Sequence, residues 1–160
     1  MSIARFTHVS AGRFAADAAA LNDPAPVEKI PLPKRATAGS AGYDFVTPAE
    51  ILIPARGTAL IPTGIRCEME PGWVLMLFPR SSLGFRYGIR LCNTAGVVDS
   101  DYAFADNEGH ILVKLENPSG QDVCLKQGER FCQGVLLPYG TAEEADDFAP
   151  RTGGFGSTGR

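Results

Sequence analysis

The sequence predicts an all-β domain of the sandwich, jelly-roll or barrel kind. Two segments with period-two alternation and one strand apolar on both faces carry that prediction. They lie in a chain of 160 residues punctuated by 18 glycines and 12 prolines. In Ile65–Glu70, residues Ile65, Cys67 and Met69 face inward while Arg66, Glu68 and Glu70 face solvent. Ile111, Val113 and Leu115 alternate in the same way with Leu112, Lys114 and Glu116. Trp73–Phe78 is apolar throughout, so both of its faces need cover, from a sandwich core or from a neighbouring subunit.

Residues 1–26 form an N-terminal appendage, in which Phe6, Val9, Phe14 and Ala18 have the loose spacing of a short helix. Asn22-Asp23-Pro24-Ala25-Pro26 ends it. Residues 27–139 form the β domain. Glu28–Pro33 opens it with two prolines, which remove ladder donors and bar it from the centre of a sheet. Ser40-Ala41-Gly42 is a small-residue turn into a strand. Glu70-Pro71-Gly72, Pro118-Ser119-Gly120 and Lys126-Gln127-Gly128-Glu129 are turns, and Phe131–Leu137 is an apolar strand stopped by Pro138. Residues 140–160 change character: Glu143, Glu144, Asp146 and Asp147 mark an acidic, solvated linker before a Gly-rich end.

Composition excludes several classes. A net charge of −3 argues against a dedicated nucleic-acid binder, which would show a basic face. No apolar run approaches the ~20 residues that span a bilayer. The first residues lack the apolar core of a signal peptide, so a cytoplasmic location is expected. Cys67, Cys92, Cys124 and Cys132 form no CxxC pair and sit among apolar neighbours, so all four are expected as reduced, buried core thiols.

Three segments carry chemistry. Gly96-Val97-Val98-Asp99-Ser100-Asp101-Tyr102 delivers two carboxylates and a phenol at the end of an apolar strand, where an acid needs a partner or a task. Asp99 is a candidate general base on water, and Asn93, on the approach, a candidate reader of a base edge. An Asp-rich hairpin turn would look the same. A calcium loop would not, because it needs Gly where Phe104 stands and Glu where His110 stands. His110, alone at the opening of a strand, reads as structural. In Pro79-Arg80-Ser81-Ser82-Leu83-Gly84 a guanidinium fork and two hydroxyls follow the apolar strand, which suits phosphate oxygens as well as an ordinary surface turn. In Arg151–Arg160, glycines leave backbone N–H groups open to an anion, Ser157 and Thr158 add hydroxyls, and Phe155 can close over a flat ring. The rival reading there is a Gly-rich end without chemistry. Together the three describe a site for a phosphorylated compound with a flat ring.

In chain order, these three segments and two others resemble the five motifs of the homotrimeric dUTPases (dUTP diphosphatases). They are Ala41-Gly42-Tyr43-Asp44, Pro79–Gly84, Asn93 through Gly96–Tyr102, Gly128-Glu129-Arg130-Phe131-Cys132-Gln133, and Gly153–Gly159. The likeness runs from about Lys29 to Arg160. It implies a jelly-roll-like dUTPase fold, a distorted barrel or sandwich, in a homotrimer whose sites are shared between subunits. The implied reaction is hydrolysis of dUTP to dUMP and pyrophosphate with Mg²⁺, which keeps uracil out of DNA and supplies dUMP for dTMP synthesis. Asp99 matches the general base. Arg80, Ser81, Gln133, Ser157 and Thr158 match phosphate contacts, with Ser82 and Gly156 in the same motifs. Asn93 and the backbone around Gly96 and Val98 match the uracil pocket. Tyr102 matches the residue against deoxyribose that leaves no room for a 2′-hydroxyl, and Phe155 the aromatic that stacks on uracil when the Gly-rich lid closes. Asp44 and Asp101 are expected as support. The Mg²⁺ is expected on triphosphate oxygens and water, without direct protein ligands.

Two departures stand out from the family pattern. Ala103–His110 is longer than the usual passage into the next strand. Arg151 stands one residue closer to Gly153-Gly154-Phe155 than is usual, which leaves Arg160 as an alternative γ-phosphate clamp. Two other functions remain open at this level. A dCTP deaminase, or a bifunctional deaminase and dUTPase, needs a Glu base on the strand after the acidic loop; Glu116 is the candidate, displaced by two positions from where Lys114 stands. A non-catalytic nucleotide-binding β module needs neither Asp99 nor the tail.

Overall fold

The structure, a computed structural model, describes residues 2–143. Among them, twelve strands run in the order β1 (Ala4–His8), β2 (Lys34–Arg35), β3 (Tyr43–Val46), β4 (Ile51–Ile53), β5 (Thr58–Pro62) and β6 (Ile65–Met69). They continue with β7 (Trp73–Pro79), β8 (Arg90–Leu91), β9 (Gly96–Val98), β10 (Leu112–Glu116), β11 (Val123–Leu125) and β12 (Arg130–Pro138). Two short helices, α1 (Ala11–Asp17) and α2 (Ser81–Tyr87), and 3₁₀ turns at Val27–Lys29 and Ser100–Phe104 complete the chain. The all-β expectation holds, and the strands pair into four antiparallel sheets that do not close into a barrel.

The largest sheet has the order β2-β3-β12-β7-β9, and β7 lies between β12 and β9. Leu75 and Leu77 of β7 turn into a core with Phe45, Ile53, Ile61, Leu115 and Phe131. The core is tight where β12 crosses it: a Cβ on Gly134 would lie 2.7 Å from Leu75 Cδ1 and 3.2 Å from Phe45 Cε2. Val74, Met76 and Phe78 occupy the other face of β7 and are half-buried. Their neighbours in register, Val97 and Leu137, are 59 % and 43 % exposed. The apolar second face anticipated from Trp73–Phe78 is thus only partly covered by the described part of the chain.

Several local expectations change. Val27, where the β pattern was expected to begin, opens a 3₁₀ turn, and the first strand after it is only Lys34–Arg35. Ser81–Tyr87, expected as a strand end and turn, is a helix closed by Gly88 at φ 70°. The cysteines are all free, but only Cys67 and Cys132 are buried. Cys124 lies on the outward side of β11, and Cys92 in the turn after β8, so neither reaches the core. Burial pushes the Cys67 and Cys132 thiols up to about 12. No helix among the described residues is long and apolar enough to cross a membrane.

The N-terminal segment contributes a strand as well as the helix. Nothing in the spacing before Phe6 announces it, yet Ala4–His8 pairs with all of β6 from Ile65 to Met69. Val9, Phe14 and Ala18 then bury against Val27 and Ile30 in a second, smaller core. Polar contacts fix α1 further. His110 is fully buried, its Nδ1 lies 2.6 Å from Asp17 Oδ2, and the Gly64 N–H donates to its Nε2 at 2.8 Å. An Nε2 that accepts cannot carry a proton, so the ring is neutral and its Nδ1–H donates to Asp17.

This pair makes the fold acid-sensitive. Burial holds the His110 imidazole below its ordinary value, against the opposing pull of Asp17. Burial would raise Asp17, but hydrogen bonds from His110 and Arg13 outweigh it and hold that carboxyl below its ordinary value. Unfolded His110 takes up a proton near its ordinary pKa of 6.5 while the folded ring resists it. Stability therefore falls as pH drops through that value towards the folded one, and Asp17 adds a further loss below 3.8. In His110→Gln, melting temperature should be lower at neutral pH but should fall less than wild type between about pH 7 and 5. Parallel melting curves of the two proteins check this.

Candidate active site

One group of candidate residues gathers at the end of β7. Asp44 on β3 is buried and accepts from two guanidiniums: Arg80 Nη1 at Oδ1, and Arg130 Nη1 at Oδ2, 3.1 Å away. The sheet register makes this possible. Gln133 of β12 pairs with Asp44 on one side and Phe78 on the other, so the start of β12 and the end of β7 flank the carboxylate. Gln133 packs on Gly42, where a Cβ would stand 2.5 Å from Gln133 Oε1. A larger residue at Gly42 would push the Gln133 amide aside. Arg80 is also the residue before α2, and its carbonyl accepts from the Leu83 and Gly84 amides at 3.0 and 3.3 Å. That leaves Ser81 and Ser82 exposed on the first turn, next to the Arg80 fork. Three of the first four motifs thus meet in one polar cluster of cations, hydroxyls and an amide, suited to bind an anion.

The third motif builds a cavity. Its volume is about 710 Å³, and Asn93, Gly96, Val98 and Tyr102 line it together with Leu77 and Ile111. This size suits a small organic ligand, and the walls are largely apolar with few polar groups. Asn93 is presented by a tight turn in which Thr94 takes φ 67°, a conformation uncommon for a β-branched residue. Gly96 lies against β7, where a Cβ would come 3.0 Å from Leu77 Cβ. Asp99 follows Val98 in extended conformation at the head of the 3₁₀ turn and is partly exposed. Asp101 is exposed on that turn, and Tyr102 is buried behind it. The Tyr102 hydroxyl donates to the His110 carbonyl at 2.8 Å and accepts from Asn107 Nδ2 at 2.7 Å.

The two groups stand apart within one chain. Leu75 pairs with Val98 and Leu77 with Gly96, which carries Asp99 to the Val74 end of β7. Arg80 follows Pro79 at the opposite end. Roughly 20 Å of strand separates them at ~3.3 Å per residue. The structure therefore joins Asp44, Arg80 and Gln133, and separately Asn93, Gly96, Val98 and Tyr102 ahead of Asp99, but does not bring the first set to Asp99. Arg151, Phe155, Gly156, Ser157, Thr158 and Arg160 lie outside the described residues.

Arg130 and Asn107 were not singled out from the sequence. Arg130 sits inside the fourth motif, and an Arg opening a strand beside a buried acid was a usable signal. Asn107 gave none, because its role depends on how Ala103–His110 folds back. Glu116, by contrast, is held by Arg90 Nε at 3.0 Å and is not among the residues lining the cavity, whereas Lys114 is. Among the described residues, no group of three or more His, Cys, Asp or Glu side chains could hold a metal.

A family model described as dUTPase matches residues 28–159. The deoxyuridine 5′-triphosphate nucleotidohydrolase of Lactococcus lactis is 41 % identical over 133 residues, 81 % of this chain and 89 % of its own. That of Psychromonas ingrahamii is 41 % identical over 147 residues, 86 % of this chain and 93 % of its own. A dUTPase crystal structure from Streptococcus mutans superposes with a TM-score of 0.70 at 38 % identity, covering 87 % of this chain and 98 % of that one.

The Asp44 cluster makes a direct prediction. Asp44→Ala leaves two guanidiniums without their shared acceptor. The side chain of Arg130 is 53 % exposed, so solvent relieves part of the repulsion. A loss of about 1–3 kcal/mol is expected, less than for a fully buried pair. Urea denaturation at neutral pH measures it.

Proposed function

Because the chain belongs to the dUTPase family, its reaction is the hydrolysis of dUTP to dUMP and pyrophosphate, and we propose that Asp99 directs it. Asp99 accepts a proton from a water whose oxygen attacks the α-phosphorus in line. The α-phosphorus to bridging-oxygen bond breaks, and pyrophosphate leaves. The observation that carries this assignment is positional: Asp99 connects the cavity-lining strand Gly96–Val98 to the turn that carries Tyr102. A base fixed between a ring-sized cavity and a sugar-facing wall acts chiefly through placement.

The remaining roles follow from the same placement. Asn93 and the Gly96 and Val98 backbone read uracil, and Tyr102 faces deoxyribose. Arg80, Ser81, Ser82 and Gln133 bind phosphate oxygens, with Asp44 holding Arg80 and Arg130 in place, and Asp101 supports the loop. Arg151 or Arg160, with Gly156, Ser157 and Thr158, completes the phosphate contacts, and Phe155 covers the uracil. The separation of Arg80 from Asp99 along β7 supports a site assembled from more than one chain, in a homotrimer. Arg80, Asp44 and Gln133 border the same sheet face that carries Val97, Met76 and Val135, so a copy that covers this apolar face also meets the phosphate cluster.

The described side chains offer no carboxylate cage, so a Mg²⁺ would be held by triphosphate oxygens and water. Bound there, it would neutralise charge on the phosphates. Four unpaired thiols, two of them exposed, favour a reducing, cytoplasmic setting. The deaminase alternative is not favoured, since Glu116 is engaged by Arg90 away from the cavity.

Asp99→Asn should retain dUTP binding and lose turnover by about 10²–10⁴-fold, the usual worth of a general base. Pyrophosphate release and binding of a non-hydrolysable dUTP analogue measure the two quantities, and retained turnover removes Asp99 from its role. Deleting Arg151–Arg160 should leave the oligomer intact by size-exclusion chromatography while activity drops steeply. An unfolded truncation would assign those residues to stability instead.

A further inference from the structure

The lengthened segment Ala103–His110 is bound on every side. Its Gly109 takes φ 70° and packs so closely that a Cβ would meet Ala103 Cα at 2.5 Å. Asn107 organises it from within: its Oδ1 accepts from the Gly109 N–H at 3.1 Å, and its carbonyl from the His110 N–H at 3.1 Å. The N-terminal segment grips it from outside. Glu108 accepts from the Ser10 N–H and hydroxyl, both at 2.7 Å, just ahead of α1. Asp17, at the end of α1, holds the His110 ring. Arg66 Nη2 donates to the Ala103 carbonyl at 2.7 Å from β6, the strand that pairs with β1.

Two residues of this segment, Asn107 and His110, reach Tyr102. Its hydroxyl donates to the His110 carbonyl and accepts from Asn107 Nδ2, and both residues belong to the lengthened segment. Its ring is a wall of the cavity. We propose that α1 and Ala103–His110 form a strut that sets the depth of the Tyr102 phenol, with Asn107, His110 and Asp17 as positioning residues for rejection of a 2′-hydroxyl. A shift of the ring by a fraction of a bond length would admit the extra oxygen, so a wall with this task needs its hydroxyl end tied. In this chain the tie runs back through His110 to a helix near the N-terminus. The strut rests on the reading of the cavity as the deoxyuridine site.

The test uses full-length enzyme and compares kcat/KM for dUTP and UTP. Asn107→Ala should lower the dUTP preference by about five- to ten-fold, the worth of one positioned hydrogen bond, and should leave kcat for dUTP within about two-fold. Asp17→Asn, which keeps size while weakening the grip on His110, should lower it in the same direction, and it decides the matter alone if Asn107→Ala fails to fold. In a Tyr102→Phe background, which removes the tied hydroxyl, adding Asn107→Ala should change the preference little. An undiminished preference in the folded single variants overturns the strut. So does an Asn107→Ala effect that recurs in full without the Tyr102 hydroxyl, because that marks general loosening. Wild-type protein that fails to hydrolyse dUTP overturns the reading of the site and the strut with it.

Discussion

The pairing of β7 with a neighbour on each side is the constraint on which the rest depends. Antiparallel register leaves no freedom once Leu75 faces Val98 and Leu77 faces Gly96. A one-residue slip would turn Val98 outward and Val97 into the core. It would also place a side chain where Gly96 lies against Leu77. The same register holds Asp99 and Arg80 at opposite ends of one strand. On the reading proposed above, a site that uses both would draw them from different copies of the chain.

Around this strand, charge is managed by sharing. Asp44 accepts from both Arg80 and Arg130 in the polar cluster, and it is buried while its partners reach solvent. A carboxylate in that position orients two forks without using up their capacity, since each guanidinium has five N–H donors and gives one here. Neighbouring glycines serve the same end by absence. Gly42 leaves room for Gln133, and Gly134 lets β12 lie flat on Leu75 and Phe45.

Local pattern made much of this legible. Alternation in Ile65–Glu70 and Ile111–Glu116 located β6 and β10, because one face of each is buried and the other wet. The apolar run at Trp73–Phe78 announced the central strand. What stayed hidden depends on partners distant in sequence. Ala4–His8 is a strand because β6 offers an edge; Ala4 and Phe6 alternate with Arg5 and Thr7 over too short a run to announce it. Helix α2 is short, contains Gly84 and exposes Phe85, so it lacks an apolar stripe. His110 read as structural, and so it is, but its partner Asp17 lies 93 residues away. Of the site, the motif positions were visible, whereas the division into two separate groups required the register.

The N-terminal segment then takes on a meaning that its composition did not carry. A strand on β6, a small core of its own and two carboxylate contacts to the lengthened loop are more than a short appendage needs to stay folded. They are what a loop beside a cavity needs to stay still. Eight extra or rearranged residues after Tyr102 would by themselves add entropy at the cavity wall, because loops held at their ends alone sample many conformations. Here a neutral, buried His110 and a half-buried Glu108 tether the second half of the loop, one by a desolvated hydrogen bond and the other by a pair of surface contacts. The buried tether is the stronger constraint, because breaking it strands a polar ring inside the protein. The stillness of Tyr102 is in that sense borrowed from α1, and the long loop and the N-terminal segment are best understood as one element.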